Sequence, residues 1–335
     1  MFKHLPWWLG RLPNMAATPK MGSAPALVSV IVPTFNRPQF LPEAIGSVLN
    51  QTFTDWELII ADDGSEERTR AYLRTLSHLP RVTITWLPHT GSPAAVRNAA
   101  LHKAKGEYVA FLDSDDTWEI RKLELQLAKL RDGNRCQWCY TAFTNVNQHG
   151  DPLPEESRRR WVPCEGDIFD RILSGQVSIR TPSVLVARQL LIDSGAFDDS
   201  MRSAEDYDLW LRLALRSPIA LVDESLVRIR SHGENLSADW SSAYVGQDHT
   251  FKKLQFCVDR RRRSLLRRER ARNALRLSFQ HALLRNRAGS LRALAGSFAF
   301  SWPYMEWWRK ALKIALRALM PEALFRFYRH RQGRA

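Results

Sequence analysis

Asp113-Ser114-Asp115-Asp116 stands directly after the apolar run Tyr108 to Leu112. An Asp-x-Asp turn in that place lets one carboxylate reach a hard divalent ion while the other meets a ligand hydroxyl. Oxygen ligands of this kind suit Mn²⁺ or Mg²⁺, and a diphosphate would complete the coordination. Two more acidic groups hold telling positions. Asp62-Asp63-Gly64-Ser65 follows the run Trp56 to Ala61, and Glu205-Asp206 opens a stretch of helical character that ends near Arg216. A carboxylate at a helix start is favoured by the helix dipole and stays ionised. Taken singly, each group says little. Acidic turns and acidic helix starts are common on solvated surfaces, and an aspartate before glycine is ordinary turn chemistry.

The elements that carry these groups make them more informative. Leu27 to Val32 is a β-branched apolar run of the kind found in strands buried on both faces. Pro33 ends it, and a helix is predicted from about Pro38 to Gln51. The pattern then repeats: strand Trp56–Ala61, helix Glu66–Ser77, strand Val82–Leu87, helix Ser92–Lys105, strand Tyr108–Leu112. Such alternation implies an α/β fold built on a doubly wound, mostly parallel sheet with right-handed crossovers. Ligands of these sheets bind beyond the carboxyl ends of the strands. Pro33-Thr34-Phe35-Asn36-Arg37, Asp62-Asp63-Gly64-Ser65 and Asp113-Ser114-Asp115-Asp116 should therefore converge on one edge, where a cation or polar ligand would keep the carboxylates apart. From Cys136 to Arg230 the pattern reads as α+β, with helices at Arg188–Ser194 and Glu205–Arg216.

Composition narrows the class. The chain has 335 residues, 44% hydrophobic and 25% charged, which fits a globular protein and not a disordered one. Its net charge of +14 is unevenly placed. From Phe251 onward there are 22 Lys and Arg against 4 Asp and Glu, whereas the preceding 250 residues carry 27 basic and 31 acidic groups. A basic tail of this kind suits an anionic membrane surface, a solvated helical face or, less well, nucleic acid. Trp302 to Leu319 places Trp307, Trp308, Leu312, Ala315, Leu316 and Leu319 near helical spacing among Arg309, Lys310, Lys313 and Arg317. That is an amphipathic cationic helix able to lie in a membrane interface. No apolar run is long enough to span a bilayer, and residues 1–26 read as an irregular leader without a secretory signal. The spacing Cys136-Gln-Trp-Cys139 has no second pair beside it, so zinc is not expected. The four cysteines read as reduced thiols. No P-loop or dinucleotide fingerprint occurs, and Pro33-Thr-Phe-Asn-Arg37 lacks the glycines with which sugar nucleotidyltransferases cradle a triphosphate.

Taken in order, Val28-Ser-Val-Ile-Val-Pro-Thr-Phe-Asn-Arg37, Gln51-Thr-Phe, Glu57-Leu-Ile-Ile-Ala-Asp-Asp-Gly-Ser65, Arg97-Asn98 and Gly106-Glu-Tyr-Val-Ala-Phe-Leu-Asp-Ser-Asp-Asp116 closely resemble the nucleotide-sugar-binding half of family 2 glycosyltransferases. The resemblance continues through Arg180-Thr-Pro-Ser183, Gly195-Ala-Phe-Asp198, Ala204-Glu-Asp-Tyr-Asp-Leu-Trp-Leu-Arg212 and Arg230-Ser-His-Gly-Glu-Asn-Leu-Ser237. It implies a GT-A fold over 27–237, with donor half 27–117 and acceptor half 118–237, followed by a basic helical region at 238–335.

The same resemblance implies roles. Pro33, Thr34, Asn36, Arg37, Asp63, Arg97, Asp113 and Ser114 would hold the nucleotide sugar, Asp63 through the base. Asp115 would ligate Mn²⁺ or Mg²⁺, with His232 as a further contact to metal or diphosphate. Asp206 would be the general base, with Glu205 as acceptor contact or alternative base. The implied reaction is an inverting transfer from a nucleoside diphosphate sugar, UDP-linked, to the hydroxyl of a saccharide or lipid-linked saccharide. Its expected setting is bacterial cell-surface polysaccharide or lipopolysaccharide assembly, at the cytoplasmic face of the membrane. A polyprenyl-phosphate sugar synthase, or a non-catalytic protein that binds anions through the tail, stays open at this point.

Overall fold

A computed structural model describes residues 27–132, 135–154, 162–233, 240–301 and 305–319. The expected leader at 1–26, the domain boundary at 237 and the tail from 320 onward lie outside the described residues.

The first half alternates strand and helix: β1 (Val28–Thr34), α1 (Leu41–Leu49), β2 (Trp56–Asp62), α2 (Glu67–Leu76), β3 (Val82–Trp86), α3 (Pro93–Leu101) and β4 (Tyr108–Phe111). Helix α1 begins three residues later than Pro38, because Phe40 and Leu41 first close a turn onto the Arg37 carbonyl. The second half adds β5 (Thr117–Trp118), α4 (Lys122–Arg131), β6 (Trp138–Val146), α5 (Phe169–Leu173), β7 (Leu185–Ala187), α6 (Arg188–Asp193), α7 (Glu205–Ala214) and β8 (Ile219–Arg230). One eight-stranded sheet results, in the order β3-β2-β1-β4-β7-β6-β8-β5. Strands β3, β2, β1 and β4 run parallel, β7 is antiparallel to β4 and β6, and β6 and β8 are parallel again.

The alternation of strand side chains separates two cores. Ile31, Ile59, Val109 and Phe111 point to one face of the sheet with Trp138, Leu209 and Trp210. Val30, Val32, Leu58, Ile60 and Leu112 point to the other, with Leu41, Ile45 and Leu123. Each fully buried aliphatic side chain contributes about 1.5–3 kcal/mol. The central strands therefore fix which residues stand at their carboxyl ends.

Beyond the sheet, α8 (Trp240–Leu254), α9 (Arg260–Leu283), α10 (Arg287–Ser301) and α11 (Met305–Leu319) form a helical extension. Its start is not detached: Phe251, Leu254, Val258 and Leu266 belong to the same core cluster as Leu209 and Trp210. Arg262 pairs with Asp167 at 2.6 Å and with Asp170 at 3.3 Å, and lies over the Phe169 ring. Part of the basic charge is thus matched within the chain. Farther on, Ala271, Leu275, Ala282, Ala311 and Ile314 make a separate small core between α9 and α11. No helix among the described residues is long and apolar enough to cross a membrane.

Candidate active site

Three loops and two helix starts meet at the carboxyl ends of β1, β2 and β4. The β1 loop is fastened to the β2 loop by Asn36, a residue with left-handed backbone (φ 49°). Its amide donates to Ser65 Oγ at 2.9 Å, and its side-chain oxygen accepts from the Glu66 amide at 2.7 Å, at the start of α2. Thr34 is buried, and its hydroxyl has no hydrogen-bond partner among the described residues. Pro33 and Arg37 flank it, partly exposed.

Asp63 is 4% exposed, and its carboxylate is heavily engaged. Oδ1 accepts from the amide and hydroxyl of Thr90 at 2.8 and 2.9 Å, and Oδ2 accepts from the Gly91 amide at 3.0 Å. His89 Nδ1 lies 3.1 Å from the same Oδ2, and its ring stacks on Phe35 at 4.1 Å. The turn at 89–91 therefore covers Asp63 where the sequence reading places a base. Residues 89–91 carry no sequence signal for this place, because His-Thr-Gly between a strand and a helix is common loop composition.

Arg97 is the hub of the site. It is 6% exposed, donates from one terminal nitrogen to Asp113 Oδ1 at 2.7 Å and from the other to Glu205 Oε1 at 3.0 Å, and packs over Phe197. Burial disfavours its charge, yet Asp113, Glu205 and Asp206 more than offset that, so its proton is held more tightly than usual. The next residue, Asn98, locks α3 to the acceptor side by paired hydrogen bonds with the backbone of Phe197, at 2.8 and 3.1 Å. Burial, and then Asp206, hold the Glu205 carboxyl above its ordinary range, with Arg97 pulling the other way. Asp206 keeps lighter company: the Thr181 hydroxyl at 3.3 Å and the Tyr207 amide at 2.7 Å. Two motifs distant in sequence, Arg180–Ser183 and Ala204–Arg212, thus meet at Asp206.

The Asp113–Asp116 turn is fastened from the other side by Arg230, at the end of β8. Arg230 donates its amide to Asp116 Oδ1 at 2.7 Å and its Nε to the Asp115 carbonyl at 2.9 Å, and pairs with Glu43 at 2.6 Å. Burial, followed by the charges of Asp115 and Asp113, pushes the Asp116 carboxyl well above its ordinary range. Ser114, between the two outer carboxylates, is buried. His232 Nε2 stands 2.9 Å from Asp115 Oδ2, with its ring stacked on Phe40.

This donor set suits a hard divalent cation. In the structure Asp115 and His232 are hydrogen-bonded to one another at 2.9 Å, which places an oxygen and a nitrogen ligand side by side where both could turn to one ion. Among the described residues no group of three His, Cys, Asp or Glu side chains is placed to hold a metal ion by itself. One or two protein ligands joined by phosphate oxygens is the usual arrangement for Mg²⁺-type ions.

Comparisons with known proteins agree with this architecture. The model for "Glycosyl transferase family 2" matches residues 29–193. The putative teichuronic acid biosynthesis glycosyltransferase TuaG of Bacillus subtilis is 32% identical over 232 residues, covering 65% of this chain and 84% of that protein. Against uncharacterized glycosyltransferases of Rickettsia bellii and Rickettsia felis the chain spans about a third of their length, 29% and 35%. In fold it is similar to Staphylococcus aureus TarS 1–349 in complex with UDP-GlcNAc (TM-score 0.67, 19% identity, 90% and 91% of the two chains). It is also similar to the mannosyltransferase PcManGT of Pyrobaculum calidifontis in complex with GDP-Man and Mn²⁺ (TM-score 0.57, 18% identity, 93% and 90%). The sheet with its flanking helices is thus the GT-A fold, with a helical extension, and the chain belongs to glycosyl transferase family 2.

Proposed function

We propose that the chain is an inverting glycosyltransferase that moves a sugar from a UDP-linked donor onto an acceptor hydroxyl. The observation that carries this reading is Arg97. A single buried guanidinium joins Asp113, at the end of the donor-side strand β4, to Glu205, at the start of acceptor-side helix α7. The two halves of a transfer site are thereby held within one side chain's span.

The chemistry follows from which groups are free. Glu205 is tied to Arg97, so Asp206, with its lighter partners, is the general base. It takes the proton of the acceptor hydroxyl as that oxygen bonds to the anomeric carbon. The bond from that carbon to the diphosphate oxygen breaks on the opposite side, the pair of electrons leaves with UDP, and the configuration inverts. Asp113 orients the ribose or sugar, and Arg97 lies beside it to offset charge on the leaving group. Asp115 and His232 would hold Mn²⁺ or Mg²⁺, which when bound supplies further positive charge against the diphosphate. Thr34, Phe35 and the 89–91 turn over Asp63 are the candidates for the nucleoside end. The UDP donor is supported by the UDP-GlcNAc complex of TarS. A setting in bacterial cell-surface polysaccharide or lipopolysaccharide assembly, on a saccharide or lipid-linked saccharide, is supported by the name of TuaG.

Calorimetric titration of UDP, GDP and dTDP, with and without Mn²⁺, tests the donor side. One nucleotide is expected to bind in a metal-dependent manner. An Asp115→Ala variant should lose at least ten-fold in affinity with Mn²⁺ present and nothing without it. Binding that ignores both metal and Asp115 would overturn the assignment.

The helical extension supports peripheral contact with an anionic membrane, at the inner face of the cell membrane. Among the described residues, Phe298, Trp308 and Leu312 are exposed together with Arg309, Lys310 and Lys313. The stripe is only partly available, since Ala311 and Ile314 of α11 pack on α9, and the side chains of Trp307, Leu316 and Leu319 lie outside the described residues. Basic residues near an anionic surface contribute about 1 kcal/mol each. An Arg309→Gln, Lys313→Gln double variant should therefore sediment with phosphatidylglycerol liposomes about 30-fold more weakly at low salt. Equal sedimentation, or retardation of duplex DNA at physiological salt without lipid binding, would reject the membrane reading.

A further inference from the structure

Helix α8 reaches the acceptor side of the site from the extension, beyond the segment matched by the family model. Its Gly246 lies so close to the Ser203–Ala204 turn that a Cβ built there would overlap the Ser203 carbonyl oxygen and stand 3.1 Å from the Ala204 Cβ. Ala204 immediately precedes α7 and has left-handed backbone, φ 60° and ψ 23°. That conformation costs a residue with a Cβ about 1–2 kcal/mol and persists only where the surroundings impose it.

The same face of α8 continues the contact. Thr250, one turn on, is fully buried. Phe251 packs edge-on against Tyr207, ring centroids 6.3 Å apart. Lys253, two turns from Gly246, places Nζ 2.6 Å from Asp198 and 3.0 Å from either oxygen of Asp208. The Asp208 side chain has no exposure at all and also takes Arg212 at 2.7 Å. Arg212 in turn donates to the carbonyls of Ser194 and Ala196. Residues 203, 204, 207 and 208 are thus gripped from α8 on both sides of Glu205 and Asp206.

We propose that α8 is a positioning element for the acceptor-side carboxylate: Gly246 and Lys253 hold the 203–208 backbone in the geometry that aims Asp206 at the acceptor hydroxyl. The idea rests on the reading of Asp206 as general base. Lys253 and Gly246 touch no reacting atom and act through α7. A side chain at 246 shifts the turn directly. Loss of the ammonium at 253 leaves the buried Asp208 with one cationic partner fewer and breaks the tie from α8 to Asp198, which keeps only Ser200 and the more distant His249.

Gly246→Ala, Lys253→Met and Lys253→Arg variants of the 335-residue chain test this, with Asp206→Asn as reference. Amide hydrogen exchange at 204–208 is expected to rise at least ten-fold in Gly246→Ala and Lys253→Met and to return toward the parent rate in Lys253→Arg. Exchange in β1, β2 and β4, and UDP affinity with Mn²⁺, should stay within two-fold. With UDP-glucose and UDP-N-acetylglucosamine as donors and water as acceptor, kcat should fall ten-fold or more in the first two variants at unchanged donor KM. Unaltered exchange at 204–208 overturns the proposal, as does loosening spread over the whole chain that Lys253→Arg does not restore. If exchange responds as expected but Asp206→Asn leaves turnover intact, the assignment of the base fails, and its failure is distinguished from that of the clamp.

Discussion

Asp206→Asn is expected to slow sugar transfer by about 10²–10⁴-fold, the range lost when a positioned general base is removed, with UDP affinity unchanged. The amide keeps the size of the carboxylate: its oxygen can still accept from the Tyr207 amide, and its NH2 can donate to the Thr181 hydroxyl oxygen, the two partners that Asp206 has among the described residues. What it cannot do is take a proton. Because Asp206 lies at the start of α7 and not on the strand-end loops that hold the donor, the loss should fall on kcat and spare nucleotide binding. A fall in UDP affinity to match the fall in kcat would show that Asp206 serves the donor instead. Undiminished transfer would move the base elsewhere, with Glu205 as the first alternative.

The second large effect is expected at Arg97. Arg97→Met removes the one positive charge that, among the described residues, both Asp113 and Glu205 contact. Removing one partner of a buried pair typically costs about 3–5 kcal/mol. Asp113 keeps 31% of its side chain exposed, so solvent screens part of that loss, and about 2–4 kcal/mol is expected. The pH dependence has a definite sign. Burial and Asp206 already hold the Glu205 carboxyl above its ordinary range, against the pull of Arg97. Without Arg97 that carboxyl rises further, and the folded state binds a proton that the unfolded chain has released. Stability then falls as pH rises above the ordinary carboxylate range. Urea unfolding should accordingly show a larger deficit for the variant at pH 8 than at pH 5, together with a loss of transfer. A deficit independent of pH would mean that packing over Phe197, and not charge, is what Arg97 contributes.

Much of the architecture was legible in the chain. The β-branched run from Leu27 and the strand-like runs from Trp56 and Tyr108, with helical stretches between them, implied a mostly parallel sheet, and β1, β2 and β4 lie at those places. Local periodicity carries this information because the exposure of a strand's two faces is written in consecutive residues. Helices α6 and α7 likewise begin where expected, at Arg188 and Glu205. The order of strands beyond β4 was not legible. The reversal at β7 and the return of β8 beside β6 depend on contacts between residues 46 to 84 positions apart, such as Trp138 with Val186 and Cys139 with Ala220. No local pattern encodes them.

The site divides in the same way. Sequence by itself determined the acidic turn after β4, the Glu-Asp pair at a helix start, and the basic, amphipathic character of the last third, because residue type and spacing along one element suffice for each. Only the tertiary structure decided who faces whom: that Arg97 bridges Asp113 and Glu205, that the 89–91 turn occupies the Asp63 carboxylate, that Arg230 fastens Asp115 and Asp116, and that Gly246 and Lys253 reach the far side of α7. The reason is physical. A buried charge must be matched by whichever partner the folded chain brings within about 3 Å, and that partner is set by how the sheet and its helices close on one another, not by its distance in sequence.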